Sequence, residues 1–144
     1  MSGTEIAISR FAEGFNCSQA VLSAYADLDD ETALKIASGF GGGMGRMADT
    51  CGAVTGAFMI LGLRYGAASP DREAKEAIYA QIRDFSDRFK ARNGSLHCRN
   101  LLGCDISQPE GLQRAKDENL LTTLCPKFVR DACEILEEML ECPK

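Results

Sequence analysis

Seven of the 144 residues are cysteine, against a single histidine and no tryptophan, so the first chemistry to consider is that of thiols. As a thiolate, cysteine attacks disulfides and other electrophiles or ligates a metal. As a buried neutral thiol it packs like a small hydrophobe. Four of the seven fall where a helix is predicted to start. Asn16-Cys17-Ser18-Gln19 has the form of a capping box and puts Cys17 in a first turn. Asp49-Thr50-Cys51-Gly52 puts Cys51 in the first turn of an apolar helix, and Cys98 stands three residues beyond the cap Ser95. Cys125 takes the cap position itself, because Pro126 favours the first helical site. At all four, unpaired N–H groups and the positive end of a helix dipole favour thiolate over thiol, lowering the pKa from its reference near ~8.5.

The other three lack this setting. Cys133 lies in an apolar stripe and reads as core, whereas Cys104, after Gly103, and Cys142, before Pro143, read as peripheral thiols. An odd number of cysteines cannot pair completely within one chain. No Cys-x-x-Cys occurs, and long intervals separate Cys17, Cys51, Cys98 and Cys125, so a sequence-local zinc knuckle or thioredoxin-type pair is ruled out. Four separate helices must come together to make one site.

Weaker candidates fall to simpler readings. Gly41-Gly42-Gly43-Met44-Gly45-Arg46 lacks the Gly-Lys-Ser/Thr ending of a phosphate-binding loop and follows a helix rather than a strand, so close packing is its expected role. His97 and Cys98 are helical neighbours about 100° apart and make no local pair. Glu137, Glu138 and Glu141 read as a solvated helix end.

The elements that must position the thiols are helices, since apolar residues recur at helical spacing almost throughout. From Pro70 to Arg92, Ile78, Ile82, Phe85 and Phe89 share one face, with Ser69 as cap and Asn93-Gly94 as stop. A second amphipathic helix runs from Pro126 to about Met139 and is expected to pack on the first. Ile8, Phe11 and Phe15 mark an N-terminal helix; Ala20, Val21, Ala24 and Leu28 mark another, and Asp29-Asp30 cap a third through Ser38. Thr50 to Leu63 forms an apolar helix whose Gly52 and Gly56, four apart, allow another backbone to approach closely. The expected fold is an all-α single-domain bundle over residues 1–144 with this glycine-containing helix at its centre.

Composition sets the outer bounds. Hydrophobic residues at 45% and charged residues at 26% predict a packed core. A net charge of −5 offers no electrostatic footprint for nucleic acid or an anionic membrane. Met1 to Glu5 lacks a secretory signal, and the apolar run from Cys51 to Leu63 is too short to span a bilayer; a cytoplasmic location without membrane insertion is expected.

At Cys51-Gly52-Ala53-Val54-Thr55-Gly56, with Cys17 upstream and Cys98 and Cys125 downstream, the chain resembles the redox-active protein family named for its cysteine pattern, C_GCAxxG_C_C. The resemblance extends from Phe15-Asn16-Cys17-Ser18-Gln19-Ala20 through Phe40-Gly41-Gly42-Gly43-Met44-Gly45 to Gly94-Ser95 and the final helix. It implies that Cys17, Cys51, Cys98 and Cys125 are the four family cysteines, with nothing carried over to Cys104, Cys133 or Cys142.

Three readings follow. In the first, Cys17, Cys51, Cys98 and Cys125 converge and cycle between dithiol and disulfide with an unidentified redox partner. Cys51 is there expected to attack, because Gly52 leaves room for a partner sulfur. In the second, the same four hold a metal, an iron–sulfur cluster or another cofactor without turnover. In the third, the glycine-faced helix builds a homodimer and the cysteines only pack.

Overall fold

The structure, a computed structural model, describes residues 1–141; Cys142 and the side chain of Glu141 lie outside the described residues. The chain forms α1 (Gly3–Glu13), α2 (Cys17–Tyr25), α3 (Asp30–Ala37), a single turn α4 (Gly41–Met44), α5 (Gly52–Tyr65), α6 (Arg72–Asn93), α7 (Cys98–Leu102), α8 (Pro109–Asp117), α9 (Leu120–Thr123) and α10 (Cys125–Glu141). The described residues contain no strand, only an isolated antiparallel bridge between Thr50 and His97. The fold is all-α, as the periodicity predicts. Among the described residues no helix is long and apolar enough to cross a membrane.

Helix boundaries follow side-chain caps. Ser2 accepts from the Glu5 amide to open α1, and Gly14, at φ 112°, closes it, leaving Phe15 beyond the helix. Asn16 and Gln19 close the expected capping box of α2. Asp29 caps α3 through the Thr32 amide. The long helix α6 starts later than Ser69-Pro70 suggests, because the Asp71 carboxylate accepts from the Glu73 amide, and aspartate caps as well as serine does. Its stop at Gly94, φ 84°, is where Asn93-Gly94 places it.

Helix α5 is central. Every residue from Gly52 to Ala57 is buried, as are Ile60 and Leu61, so it has no solvent stripe of its own over most of its length. Against α2 it packs backbone to backbone: a β-carbon on Gly56 would stand 2.9 Å from the Ser18 carbonyl oxygen. The Thr55 hydroxyl serves this contact by donating to Ser18 Oγ (3.3 Å) or to Gly52 O (3.1 Å). On the other side an aromatic ladder joins α5, α6 and α10. Phe58 meets Phe85 edge-on at 5.9 Å, Phe85 stacks on Phe89 at 6.2 Å, and Phe89 reaches Phe128 at 6.5 Å.

Helix α10 also carries the acidic residues expected to be a solvated helix end, and two of them are engaged. Glu137 accepts from the Tyr25 hydroxyl at 2.7 Å and from Thr4 at 3.2 Å, tying α10 to α1 and α2. Glu138 accepts from Arg88 and Arg92 of α6 at 3.1 and 3.2 Å. The sequence periodicity marks the apolar side of α10 but not which of its glutamates face a neighbouring helix.

Candidate functional site

Each of the four thiols stands at a helix start. Cys17 is the first residue of α2, behind an Asn16 that receives the Gln19 amide at 2.8 Å and returns its own amide to Gln19 Oε1 at 3.0 Å. The Asn16 side-chain amide also donates to Ser38 O at 3.1 Å, which fixes the turn to α3. Cys51 occupies the cap of α5 rather than its first turn. Cys98 is the first residue of α7 and Cys125 the first of α10, one position inside the expected cap.

Cys51 and Cys98 are coupled through the backbone. The Cys51 amide donates to Leu96 O at 2.8 Å, and the Cys98 amide donates to Asp49 O at 2.6 Å, on either side of the Thr50–His97 bridge. Because side chains alternate across such a bridge, Cys51 and Cys98 emerge on the face opposite Thr50 and His97. His97 turns outward, with Nδ1 3.4 Å from Asp49 Oδ1.

All four thiols line one cleft of about 630 Å³, and each is nearly covered, with 5 to 8% of its surface exposed. Much of the lining is glycine. Gly41, Gly42, Gly43, Gly45 and Gly52 all border the cleft, and Gly42, Gly43 and Gly45 have φ of 64°, 70° and 62°, a region that favours residues without a β-carbon. A β-carbon on Gly52 would lie 3.2 Å from Cys17 Cβ. The glycine loop packs closely, as expected, and at Gly43 it packs against Cys98. Cys133 is fully buried in the core and does not reach the cleft. Cys104 is half-buried and outside the lining, though close enough to Cys98 to disfavour its ionisation. The four thus share one cleft that Cys104 does not line, although Cys104 is close enough to act on Cys98.

The electrostatics reorder the thiols. Burial pushes Cys51 up to about 12; the amides of Ala53 and Val54 pull the other way without offsetting it. The helix start was expected to make Cys51 the thiolate, and loss of water from a covered sulfur outweighs the dipole. Cys98 also rises to about 12, through burial first and then its neighbour Cys51. Cys17 and Cys125 act on each other, which raises Cys17 well above its ordinary value and lowers Cys125. Within such a pair one sulfur keeps its proton and the other gives it up more easily. Cys125 is the member that ionises more readily, since it opens the 17-residue helix α10.

A metal would need several deprotonated donors turned toward one point. Among the described residues no group of three or more histidine, cysteine, aspartate or glutamate side chains is arranged to hold a metal ion. As positioned, the donors do not fit a metal or cluster. Sequence reasoning located all four thiols but missed Gly43 as the wall behind Cys98, and it missed the segment pairing that sets Cys51 beside Cys98. The glycine run was the signal for the first; a single bridge leaves none for the second.

Comparison with known proteins adds one match. A family model described as "Putative redox-active protein (C_GCAxxG_C_C)" covers residues 15–139. Searches of curated proteins and of solved structures return no match.

Proposed function

The chain belongs to the C_GCAxxG_C_C family, and from that premise we propose that it is a dithiol redox protein whose working pair is Cys17 and Cys125. The observation that carries this reading is that Cys17 and Cys125 line one cleft and shift each other's proton affinity in opposite directions. It makes one sulfur the easier to ionise, beside a second placed to resolve. Helix α2 and helix α10 bring residues 108 positions apart into that cleft, so no local motif announces the pair.

In the reducing direction, the Cys125 thiolate attacks one sulfur of a partner disulfide and displaces the other as a thiolate, leaving a mixed disulfide on Cys125. Cys17 then gives up its proton and attacks the Cys125 sulfur. A Cys17–Cys125 disulfide forms and the second partner sulfur leaves. Two electrons pass from the dithiol to the partner, and the protein is reset by the reverse exchange with a reducing dithiol. Cys51 and Cys98, held as neutral thiols, flank the pair and complete the wall of the cleft.

Equilibration in thiol–disulfide buffers, followed by acid quenching and mass spectrometry, tests the assignment. The first disulfide to form is expected to join Cys17 to Cys125, and Cys17→Ser is expected to accumulate the mixed disulfide on Cys125. A first disulfide that omits both residues, or a protein that forms none, overturns the reading.

A further inference from the structure

The cleft that exposes the thiols also limits what can reach them. It has about 630 Å³, within the range of pockets that enclose small organic molecules. Each of the four cysteines is at least nine-tenths covered, so a disulfide must enter the cleft to be attacked in line. The lining is largely apolar and aromatic, including Phe11, Phe15, Phe128, Leu101, Ile106 and Leu121. Among the described lining residues a single one is charged, Arg46, and none is acidic.

Arg46 is exposed and makes no ion pair among the described residues. Its aliphatic stem lies over Gly42, where a β-carbon would stand 2.8 Å from Arg46 Cγ and 3.4 Å from Ile106 Cδ1. The next residue, Gly43, abuts Cys98. A guanidinium therefore sits at the mouth of an apolar cleft, one residue along the glycine wall from the thiols. In a chain of net charge −5, this cation, the single charged residue of the described lining, marks where an anion entering the cleft would be received.

Resting on the dithiol reading above, we infer that the substrate is a low-molecular-weight disulfide with an apolar or aromatic body and a carboxylate that Arg46 receives. The exchange balances as before: the small disulfide takes two electrons and leaves as two thiols, while Cys17 and Cys125 become a disulfide.

Two aromatic disulfides test the inference: the dicarboxylate dithiobis(nitrobenzoate) and the neutral dithiodipyridine. Each is reacted with fully reduced protein, with Arg46→Gln and with Arg114→Gln, an exposed arginine outside the cleft. The rate of Cys17–Cys125 disulfide formation is followed by mass spectrometry and by release of the coloured thiol. Arg46→Gln is expected to slow the dicarboxylate at least about fivefold, the scale of one exposed charge-assisted contact, and to change the neutral reagent less than about twofold; Arg114→Gln is expected to change neither. Equal sensitivity of the two reagents to Arg46 overturns the carboxylate site while the Cys17–Cys125 disulfide still forms. Equally fast oxidation by a folded protein disulfide overturns the small-molecule assignment. If neither reagent produces the Cys17–Cys125 disulfide, the dithiol reading itself fails and the inference falls with it.

Discussion

Gly43 stands so close to Cys98 that a β-carbon added to the glycine would lie 2.7 Å from the cysteine's own β-carbon. The same glycine has φ 70° and accepts the Asp49 amide at 2.9 Å. Asp49 O in turn accepts from the Cys98 amide. One left-handed residue thus sets both the wall behind a cleft thiol and the segment that pairs Cys51 with Cys98.

Gly43→Ala is therefore expected to destabilise the protein by about 2 kcal/mol or more, since strain at positive φ adds to overpacking against the Asp49 backbone nitrogen, 2.6 Å from the new atom. Gly39 is the control. It borders the same cleft but has nothing within 4 Å of an added β-carbon and no positive φ, so Gly39→Ala is expected to be neutral or mildly stabilising. Urea unfolding of the two variants checks the contrast, and equal midpoints would remove Gly43 as a structural determinant of the site.

The central placement of α5 predicts that Gly56→Leu unfolds the protein or lowers its stability by more than ~3 kcal/mol. Even a β-carbon there meets Ser18 O at 2.9 Å and Val21 Cβ at 3.1 Å, and both neighbours belong to the α2 face that carries Cys17. Near-ultraviolet circular dichroism together with thermal unfolding reads this. A variant with wild-type stability would mean that α2 and α5 do not pack through Gly56.

The two glycine effects differ in how far they could be foreseen. Gly52 and Gly56 lie four apart in an apolar run, which predicts a close helix contact before any partner is known. The caps at Asn16 and Asp29 and the stop at Gly94 were equally legible, because a cap is a local interaction between residues two to four apart. Local rules also put four thiols at helix starts, but they assign charge to each sulfur as though it were in water. Burial of Cys51 and the Cys17–Cys125 contact arise from packing between α2, α5 and α10, and the first cancels the dipole while the second makes Cys125 the easier to ionise. Arg46 was visible as a residue and not as a cleft residue, since its position depends on how the glycine turn folds back.

The order of thiol reactivity should follow that packing. Cys125 is expected to alkylate with a midpoint below the ordinary thiol value of 9.0, and Cys51 and Cys98 near 12. Cys17→Ala removes the neighbour that lowers Cys125, so the Cys125 midpoint is expected to rise. A small alkylating reagent, native reduced protein and site-by-site mass spectrometry over a pH series give all the values. A Cys125 midpoint unmoved by Cys17→Ala would mean that the two thiols are not paired in solution.

The last prediction concerns alkaline stability and uses a thiol outside the cleft. Cys133 is fully buried in α10, and burial holds its pKa at about 12 against an ordinary value of 9.0. Below pH 9 both the folded and the unfolded chain keep this proton, and its contribution to stability is fully present. Between pH 9 and 12 the unfolded chain has lost the proton and the folded chain retains it. Folding must then take up a proton, and stability falls by about 1.4 kcal/mol per pH unit for this one group. Other groups titrate in the same window, so the informative quantity is a difference. Cys133→Ala starts from a lower plateau, because a sulfur is lost from a packed core, but its decline between pH 9 and 12 is expected to be shallower than that of the unsubstituted protein by about 1.4 kcal/mol per pH unit. Urea unfolding across that range measures both slopes. Parallel slopes would show that Cys133 ionises in the folded protein as readily as in the unfolded one, which a sulfur sealed between α10 and the core cannot do without opening the helix.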